Sequence, residues 1–484
     1  MATSLENIAA DNEPDQRHFW IILAFGAAIR FYDLGGKQLW LDEIIQAIHS
    51  SPQLSLAGVL RGVTDDRGAT PLDYIIQHYV SAALGQSEFV LRLQAALFGI
   101  ATIAAIYYLF RMVLGARVAL LCAGLYSVYP LHHHYSQEGR PYALFTLLTV
   151  CSYLTFCKTL TRGSSRDWIL YGATNTALLY SQYFGMFVLA SQLLFSMTML
   201  SPRVSDSWPL SRKIGLPFLA VQMGVIGASG ILLVPWIIFG IHTVSGYTPQ
   251  PVHFGLKLAL SFVQGLGDGS HPLAWILLLL AVLGARKLVV EKQTALFSLL
   301  LCWCVVPVPL IFLLLWIKEY FFAIRHFLFI TPAFFALVAL GITRLSEQLA
   351  ARYAAERVGC AAVALVVTVS LIVIGFHVPD RREDLRGAGR YLNQNVGPGD
   401  LVIAPGIDGV LSYYFPQISA HSKPADLLKA PNGIAGSGGN TFIVETAYLP
   451  ASDRQIIESA LGGFPSKQEI RFRDVEIIEI ANRR

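Results

Sequence analysis

Two adjacent carboxylates, Asp42 and Glu43, stand shortly after the first apolar segment, in the stretch Gly36-Lys37-Gln38-Leu39-Trp40-Leu41-Asp42-Glu43. A carboxylate beside a substrate hydroxyl can act as a general base. The nearby aromatic residues Tyr32 and Trp40 are of the types enriched where a membrane meets water. A charge so close to a bilayer is costly, which favours a functional role. The alternative is that both are solvated loop charges, as most acidic residues are.

A second polar cluster follows in the stretch His132-His133-His134-Tyr135-Ser136-Gln137-Glu138-Gly139-Arg140-Pro141-Tyr142. Glu138 and Arg140 are near enough in sequence to present an acid and a base to one ligand, and a guanidinium suits phosphate geometry. Imidazole is a common metal ligand, which makes His132 and His134 candidates. Adjacent histidines seldom converge on one ion, however, so both are weak metal candidates. Histidines that simply lie at the membrane–water interface are the favoured interpretation.

Four further polar residues interrupt apolar sequence. Arg325 opens an apolar segment, where it either binds a ligand or extends its side chain to the lipid headgroups. Arg92 lies inside another apolar run, Asp73 interrupts a shorter one, and Tyr183 belongs to an aromatic corner. We expect all four to contribute to substrate binding.

These residue types together suit a phosphate-bearing lipid as substrate. Arginines would hold the phosphate, and a carboxylate would deprotonate an incoming hydroxyl. Such chemistry has to take place next to lipid, and the elements that carry these residues are therefore expected to cross a membrane.

The composition agrees with that expectation. Of 484 residues, 54% are hydrophobic and only 14% are charged, against roughly a quarter charged in soluble domains. The mean hydropathy is +0.53. The net charge of +4 is too small and too dispersed to indicate a nucleic-acid partner. The fold class predicted is a mainly α, polytopic membrane bundle whose partner is the lipid bilayer.

Apolar runs of about 17–25 residues can cross the hydrocarbon core. Eleven are predicted, with soft boundaries: 18–34, 89–111, 116–132, 140–158, 166–182, 183–200, 214–240, 271–290, 294–317, 321–343 and 358–377. Residues 1–17 would form a cytoplasmic tail, residues 18–379 the membrane domain with a large first outer loop at 35–88, and residues 380–484 an outer domain.

The distribution of basic residues sets the orientation. With the N-terminus cytoplasmic, every short inner loop carries arginine or lysine, as the positive-inside rule requires. A further span at 72–85 would invert all later loops, and Asp73, Gln77 and His78 interrupt it. An amphipathic helix in the outer interface is the better interpretation. Asp42, Arg140 and Arg325 then share the outer side.

The last hundred residues differ in pattern from the rest. Helical and strand-like segments alternate there, separated by glycine-rich turns: Leu385–Asn395 helical, Asp400–Ala404 strand, Thr441–Glu445 strand, Asp453–Leu461 helical and Glu469–Ile480 strand-like. This order predicts a small α/β domain with a partly parallel sheet.

Three motifs resemble those of the polyprenyl-phosphate-sugar glycosyltransferases of the GT-C fold: Leu39-Trp40-Leu41-Asp42-Glu43; Ser87-Glu88-Phe89 with Arg92-Leu93; and His134-Tyr135-Ser136-Gln137-Glu138-Gly139-Arg140-Pro141-Tyr142-Ala143-Leu144. More narrowly, the chain resembles bacterial relatives of the dolichyl-phosphate-mannose protein mannosyltransferases and of the aminoarabinose transferase of lipid A. Arg325-His326 stands where that family usually has Arg-Tyr, and Arg382–Tyr391 resembles the opening of its outer C-terminal domain.

The resemblance implies an inverting transferase of a bacterial inner membrane. Its donor would be a polyprenyl-phosphate sugar and its acceptor an extracytoplasmic saccharide, lipid or protein. Asp42 would be the general base, Glu43 its support, and Arg140 and Arg325 the donor phosphate ligands. No cofactor is certain, and a divalent metal is neither implied nor excluded. Many relatives carry His-Pro-Pro-Leu where this chain has Ala69-Thr70-Pro71-Leu72, so the role of that histidine is vacant or moved.

Two other classes of protein remain as alternatives. A transporter of lipid-linked saccharides would place ionisable residues near the bilayer midplane and show repeated halves. Here the charges cluster at one face and no repeat is visible. A non-catalytic binding subunit would have intact membrane spans and a dispensable Asp42.

Overall fold

A computed structural model describes residues 12–66, 69–209, 215–240, 255–318, 322–349, 355–377, 383–405, 407–418, 439–446, 451–461 and 467–481. Helices dominate the first three quarters of the chain, and a small sheet lies in the last quarter.

The helices of the first half follow one another with short connections. They are α1 (Asn12–Phe31), α2 (Leu41–His49), α3 (Leu56–Asp65), α4 (Pro71–Leu84), α5 (Glu88–Leu114), α6 (Ala116–Ser127), α7 (Pro130–Ser136), α8 (Tyr142–Thr161), α9 (Ser165–Ser181), α10 (Gly185–Thr198) and α11 (Pro202–Ser205).

The second half continues with longer apolar helices and then the sheet. Its helices are α12 (Leu216–Gly240), α13 (Leu256–Leu266), α14 (His271–Val290), α15 (Thr294–Val305), α16 (Pro307–Lys318), a 3-10 helix (Ile324–Ile330), α17 (Thr331–Leu349), α18 (Ala355–His377), α19 (Leu385–Asn395), α20 (Asp408–Leu411) and α21 (Ala451–Leu461). The strands are β1 (Leu401–Ile403), β2 (Thr441–Thr446), β3 (Lys467–Phe472) and β4 (Val475–Ile480).

Within the described residues, seven helical segments are long and apolar enough to cross a membrane, and shorter apolar helices accompany them. The chain is therefore a multi-pass membrane protein. The seven are Glu88–Leu114, Tyr142–Thr161, Leu216–Phe239, His271–Val290, Thr294–Ile317, Ile324–Leu349 and Arg357–Phe376. They correspond to seven of the eleven predicted spans. The remaining four predicted spans (18–34, 116–132, 166–182 and 183–200) are helical over most of their length and stay predictions as membrane crossings.

Proline explains two of the boundaries. Pro130 begins α7, so the predicted span 116–132 is divided into a 12-residue helix and a short one. A proline has no backbone N–H to donate and is tolerated in the first turn of a helix. Pro332 likewise lies in the first turn of α17, where the preceding 3-10 helix changes to an α-helix.

The stretch 72–85 is a helix, α4, with an inverted pattern of burial. Its buried residues include Asp73, Gln77 and His78, whereas the apolar Tyr79 and Leu84 are 57% and 59% exposed. Polar side chains thus point into the protein and apolar ones away from it. A helix at a lipid boundary has this arrangement, and its place in the outer interface stays a prediction.

The chain divides into two compact units. The first comprises residues 1–34 and 49–378, and most of its buried side chains form one apolar core. There the Tyr153 and Trp303 rings stack with centroids 3.7 Å apart, and Cβ atoms added to Gly284 or Gly341 would collide with backbone of the facing helix. Such close approach of small residues is typical of helix packing in membranes.

The second unit comprises residues 35–48 together with 379–484. Its sheet has the order β1-β2-β4-β3, with β1 and β2 parallel and the other pairs antiparallel. The partly parallel sheet and both helices of the sequence analysis are present. The segment Glu469–Ile480, expected as one strand-like stretch, is instead a hairpin, because Asp474 adopts a positive φ of 54° and reverses the chain.

The segment before Asp42 is held by this second unit. Gln38 is 4% exposed; its Nε2 donates to the Glu383 carbonyl at 2.6 Å, and its Oε1 accepts from the Arg386 N–H at 3.2 Å. The Leu39 N–H donates to the Tyr414 hydroxyl at 2.9 Å. One amide side chain thereby fixes the entrance to α2 against the first turn of α19.

Replacing Gln38 by alanine should loosen this segment. Two part-buried hydrogen bonds are lost, each worth about 1 kcal/mol net, so we expect local opening of residues 36–48 to increase about tenfold or more. Hydrogen–deuterium exchange followed by mass spectrometry measures this directly. Gln468→Ala, at an exposed position of the same unit, is the control. Unchanged exchange in Gln38→Ala would show that the amide does not hold the segment.

Candidate functional site

Arg140 lies in the turn between α7 and α8, where it is 9% exposed. Its Nη1 donates to Asp66 Oδ2 at 2.8 Å and to the Tyr74 hydroxyl at 3.1 Å. The Tyr74 hydroxyl donates in turn to the same Asp66 oxygen. Asp66 ends α3 and Tyr74 lies on α4, so three elements meet at one guanidinium.

Burial determines the chemistry of the groups around Arg140. Tyr74 is 1% exposed, and burial raises the pKa of its phenol well above the usual value. The phenol therefore keeps its proton at neutral pH and remains a hydrogen-bond donor. Burial also lowers the pKa of the nearby His49, an effect that Asp66 and Asp65 partly offset. At neutral pH His49 is therefore uncharged.

Arg325 contacts the beginning of α8. Its guanidinium carbon lies 5.6 Å from the centre of the Tyr142 ring, which is a cation–π distance. The Tyr142 ring also contacts the Tyr135 ring, at a centroid distance of 5.2 Å. The structure therefore brings Arg325 to the same helix corner that carries Arg140.

Glu138 and His134 form a second charged group at this corner. Glu138 is 2% exposed, and its Oε2 lies 3.6 Å from His134 Nε2. On the other side of the ring, His134 Nδ1 lies 3.8 Å from Asp268 Oδ1. Burial opposes protonation of His134, but Asp268 and Glu138 outweigh it and raise the pKa of the imidazole to about 9. His134 is therefore a cation at neutral pH.

His132 contacts a cation instead. Its Nδ1 lies 2.8 Å from Nη2 of Arg30, which is fully buried on α1. Arg30 also donates to the Ser127 and Gly26 carbonyls, both at 2.9 Å. Among the described residues, no group of three or more histidine, cysteine, aspartate or glutamate side chains is placed to hold a metal ion.

The other predicted site residues are Arg92, Tyr183 and Asp73. Arg92 is 1% exposed and donates to the Leu34 carbonyl at 3.3 Å. Tyr183 accepts a hydrogen bond from the Trp236 indole at 2.9 Å. Asp73 is buried in the first turn of α4.

Asp42 and Glu43 lie in the first turn of α2 and belong to the second unit. Negative charge is favourable at that end of a helix. The Glu43 carboxylate is 2% exposed and accepts from the Trp40 N–H at 3.4 Å, as a helix cap does. Asp42 is only partly buried. Of the two carboxylates, Asp42 is therefore the more accessible to a substrate.

Sequence reasoning missed Asp66, Tyr74, Asp268 and Arg30. The sequence could have indicated Arg30 as a candidate, because it lies in an apolar run just as Arg92 does and a charge there is costly. Asp268 stands between two glycines in a predicted outer loop, which marks a turn but not a partner. Asp66 is 74 residues from Arg140 in sequence, and no spacing rule connects the two.

The stability of the fold should depend on pH through His134 and its partners Glu138 and Asp268. Because the folded pKa of His134, about 9, lies above its ordinary value of 6.5, protonation stabilises the fold. That contribution is complete below about pH 6.5 and is lost as the pH rises through about 9. We expect the thermal unfolding midpoint of the detergent-solubilised protein to fall over this range, and to fall less in His134→Gln. His18→Gln, at an exposed position, should behave as the wild type. Parallel curves for wild type and His134→Gln would contradict the assignment.

Residues 69–226 match the family model described as dolichyl-phosphate-mannose-protein mannosyltransferase. The matched segment includes α4, the α7–α8 corner and Arg140. A search among curated proteins found no significant match.

Solved structures resemble the chain over nearly its full length. ArnT from Cupriavidus metallidurans in the apo state matches with a TM-score of 0.62 at 12% identity, covering 96% of this chain and 97% of that one. The same enzyme bound to undecaprenyl phosphate gives 0.58 at 14%, covering 95% and 97%. The oligosaccharyltransferase AglB from Archaeoglobus fulgidus, in complex with an inhibitory peptide and a dolichol-phosphate, gives 0.54 at 12%, covering 88% and 69%. The family match over residues 69–226 and the shared fold together confirm the resemblance that the motifs carry, which is to GT-C glycosyltransferases related to the dolichyl-phosphate-mannose-protein mannosyltransferases.

Proposed function

We propose that this protein is an inverting glycosyltransferase that moves a sugar from a polyprenyl-phosphate donor to an acceptor hydroxyl on the outer face of a bacterial inner membrane. The observation that carries the proposal is the buried guanidinium of Arg140, held at a helix corner together with Arg325 in a fold similar to that of ArnT. The acceptor is a saccharide, a lipid or a protein.

The two arginines would bind the donor phosphate. A guanidinium presents donors in a planar fork that matches phosphate oxygens. Arg140 lies just before α8, and the Arg325 guanidinium lies over the ring of Tyr142 in its first turn. A buried cation there attracts an anion far more strongly than one in water. Glu138 would orient the corner through His134, and we assign Arg92, Tyr183 and Asp73 to the surrounding substrate-binding surface.

An apolar groove next to α4 supports a lipid substrate. Its volume is about 1080 Å³. Its walls come from helices α3, α4, α9 and α12, and they are almost wholly apolar, including Leu60, Leu72, Ile75, Trp168, Tyr180, Leu232, Trp236 and Phe239. Leu72 and Ile75 flank Tyr74, which contacts Arg140. A polyprenyl chain has the dimensions and chemistry to lie in such a groove.

Asp42 would be the general base. It takes the proton of the acceptor hydroxyl while that oxygen attacks the anomeric carbon of the donor sugar. The bond from that carbon to the phosphate oxygen breaks, and its electrons leave with the polyprenyl phosphate. A new glycosidic bond forms with inverted configuration. The arginines stabilise the negative charge that develops on the leaving phosphate, and Glu43 maintains the helix end that presents Asp42.

Asp42→Asn should keep the fold and lose transfer, because the amide cannot accept the hydroxyl proton. We expect a loss of about 100-fold or more. The measurement is acceptor-dependent release of polyprenyl phosphate by purified protein, with a panel of polyprenyl-phosphate sugars as donors. Asp33→Asn, at an exposed position, is the control. An active and well-folded Asp42→Asn variant would exclude Asp42 as the base. Absence of turnover with every donor, alongside lipid movement in liposomes, would indicate a transporter instead.

Arg140→Gln should weaken binding of the polyprenyl phosphate. Hydrogen bonds to a charged group are worth about 1.5–3 kcal/mol, so the Kd for undecaprenyl phosphate should rise by about tenfold or more. Arg61→Gln, an exposed arginine on α3, should leave the Kd unchanged. Microscale thermophoresis in detergent gives both values. Equal affinity in Arg140→Gln and wild type would remove Arg140 from the phosphate site.

A further inference from the structure

We propose that Asp66 occupies the phosphate site of Arg140 when no donor is bound, and that donor phosphate and Asp66 compete for the same guanidinium. Asp66 would thereby set the affinity for the donor and promote release of the polyprenyl phosphate product. This inference rests on the proposed function.

The hydrogen bonds of Arg140 support direct competition. Arg140 Nη1 carries two hydrogens, and it donates to Asp66 Oδ2 at 2.8 Å and to the Tyr74 hydroxyl at 3.1 Å. Both donors of this nitrogen are therefore used within the protein. A phosphate oxygen that approaches Nη1 has to replace one of the two acceptors. The carboxylate is the acceptor of the same chemical class as the phosphate, since both are anions that arginine binds in the same way.

Position in the fold makes Asp66 the partner that can leave. Asp66 is the residue that follows the last turn of α3, and its side chain is 19% exposed. Rotation about its side-chain torsions removes the carboxylate from Arg140 without moving a helix. Tyr74 is 1% exposed and fixed on α4. It stays in place, and its hydroxyl can donate to the incoming phosphate as it now donates to Asp66.

Charge explains why such a competitor is useful. Asp66 balances the charge of the buried Arg140 in the absence of donor. The donor is a phosphodiester with one negative charge, whereas the product is a phosphate monoester whose charge approaches two at neutral pH. Arg140 would therefore hold the product more tightly than the donor. The returning Asp66 carboxylate offsets this difference and favours release.

The test compares Asp66→Asn with Asp65→Asn in the full-length purified protein. Asp65 is the exposed neighbour on α3 and carries the same charge. With the competing charge removed, we expect Asp66→Asn to bind undecaprenyl phosphate about tenfold more tightly and to be inhibited by it at about tenfold lower concentration. Asp65→Asn should match the wild type. In an Arg140→Gln background, Asp66→Asn should have no effect on the Kd.

Several results would overturn the inference. An unchanged or weaker affinity in Asp66→Asn, with wild-type turnover intact, would refute the competition and leave the proposed function standing. A wild-type protein that neither binds undecaprenyl phosphate nor turns over any donor would refute both. Asp66→Ala serves as a second neutral variant, with the same expected tightening. Loss of folding in both variants would mean that Asp66 belongs to the fold and is not displaceable.

Discussion

A guanidinium buried beside lipid is tolerated only when its donors have acceptors, and this constraint organises the described part of the membrane unit. Arg30 is satisfied by His132 and two carbonyls, Arg92 by the Leu34 carbonyl, and Arg140 by Asp66 and Tyr74. Those acceptors of Arg30 and Arg92 are neutral, whereas Arg140 is balanced by an anion, and an anion can be exchanged for another. The exchangeable pair is the one that suits substrate binding.

The two units supply different parts of the proposed chemistry. The first unit holds Arg140, Arg325 and the apolar groove, which suit a lipid phosphate. The second unit holds Asp42 and Glu43. Gln38 and Tyr414 attach the segment before Asp42 to the C-terminal residues. The C-terminal residues therefore also hold residues 35–48 within the second unit. They fix the backbone that leads into the proposed base.

Much of the architecture was predictable because it depends on local patterns. Long apolar runs and alternating segments in the tail predicted the helices and the partly parallel sheet. Of the site, the sequence predicted Arg140, Arg325, Glu138 and Asp42 as candidates, through motifs and through the cost of charge in apolar sequence. It could not predict Asp66 or Tyr74 as partners of Arg140, because that pairing depends on how α3 and α4 pack against the α7–α8 corner. Likewise, nothing local to Gln38 indicates that its partners are Glu383 and Arg386.

The hydrogen bond between Gln38 and Glu383 joins residues that are 345 positions apart. It can form only after the ribosome has made the chain as far as Glu383 and that residue has reached the same side of the membrane as Gln38. The membrane helices between them are inserted earlier. Assembly of the Asp42 segment is consequently one of the last steps of biogenesis, and a chain that stalls or is cleaved before its C-terminal domain folds lacks the contacts that hold its carboxylates. The order of synthesis therefore places the hydrogen bonds of Gln38 after the synthesis of the helices between Gln38 and Glu383.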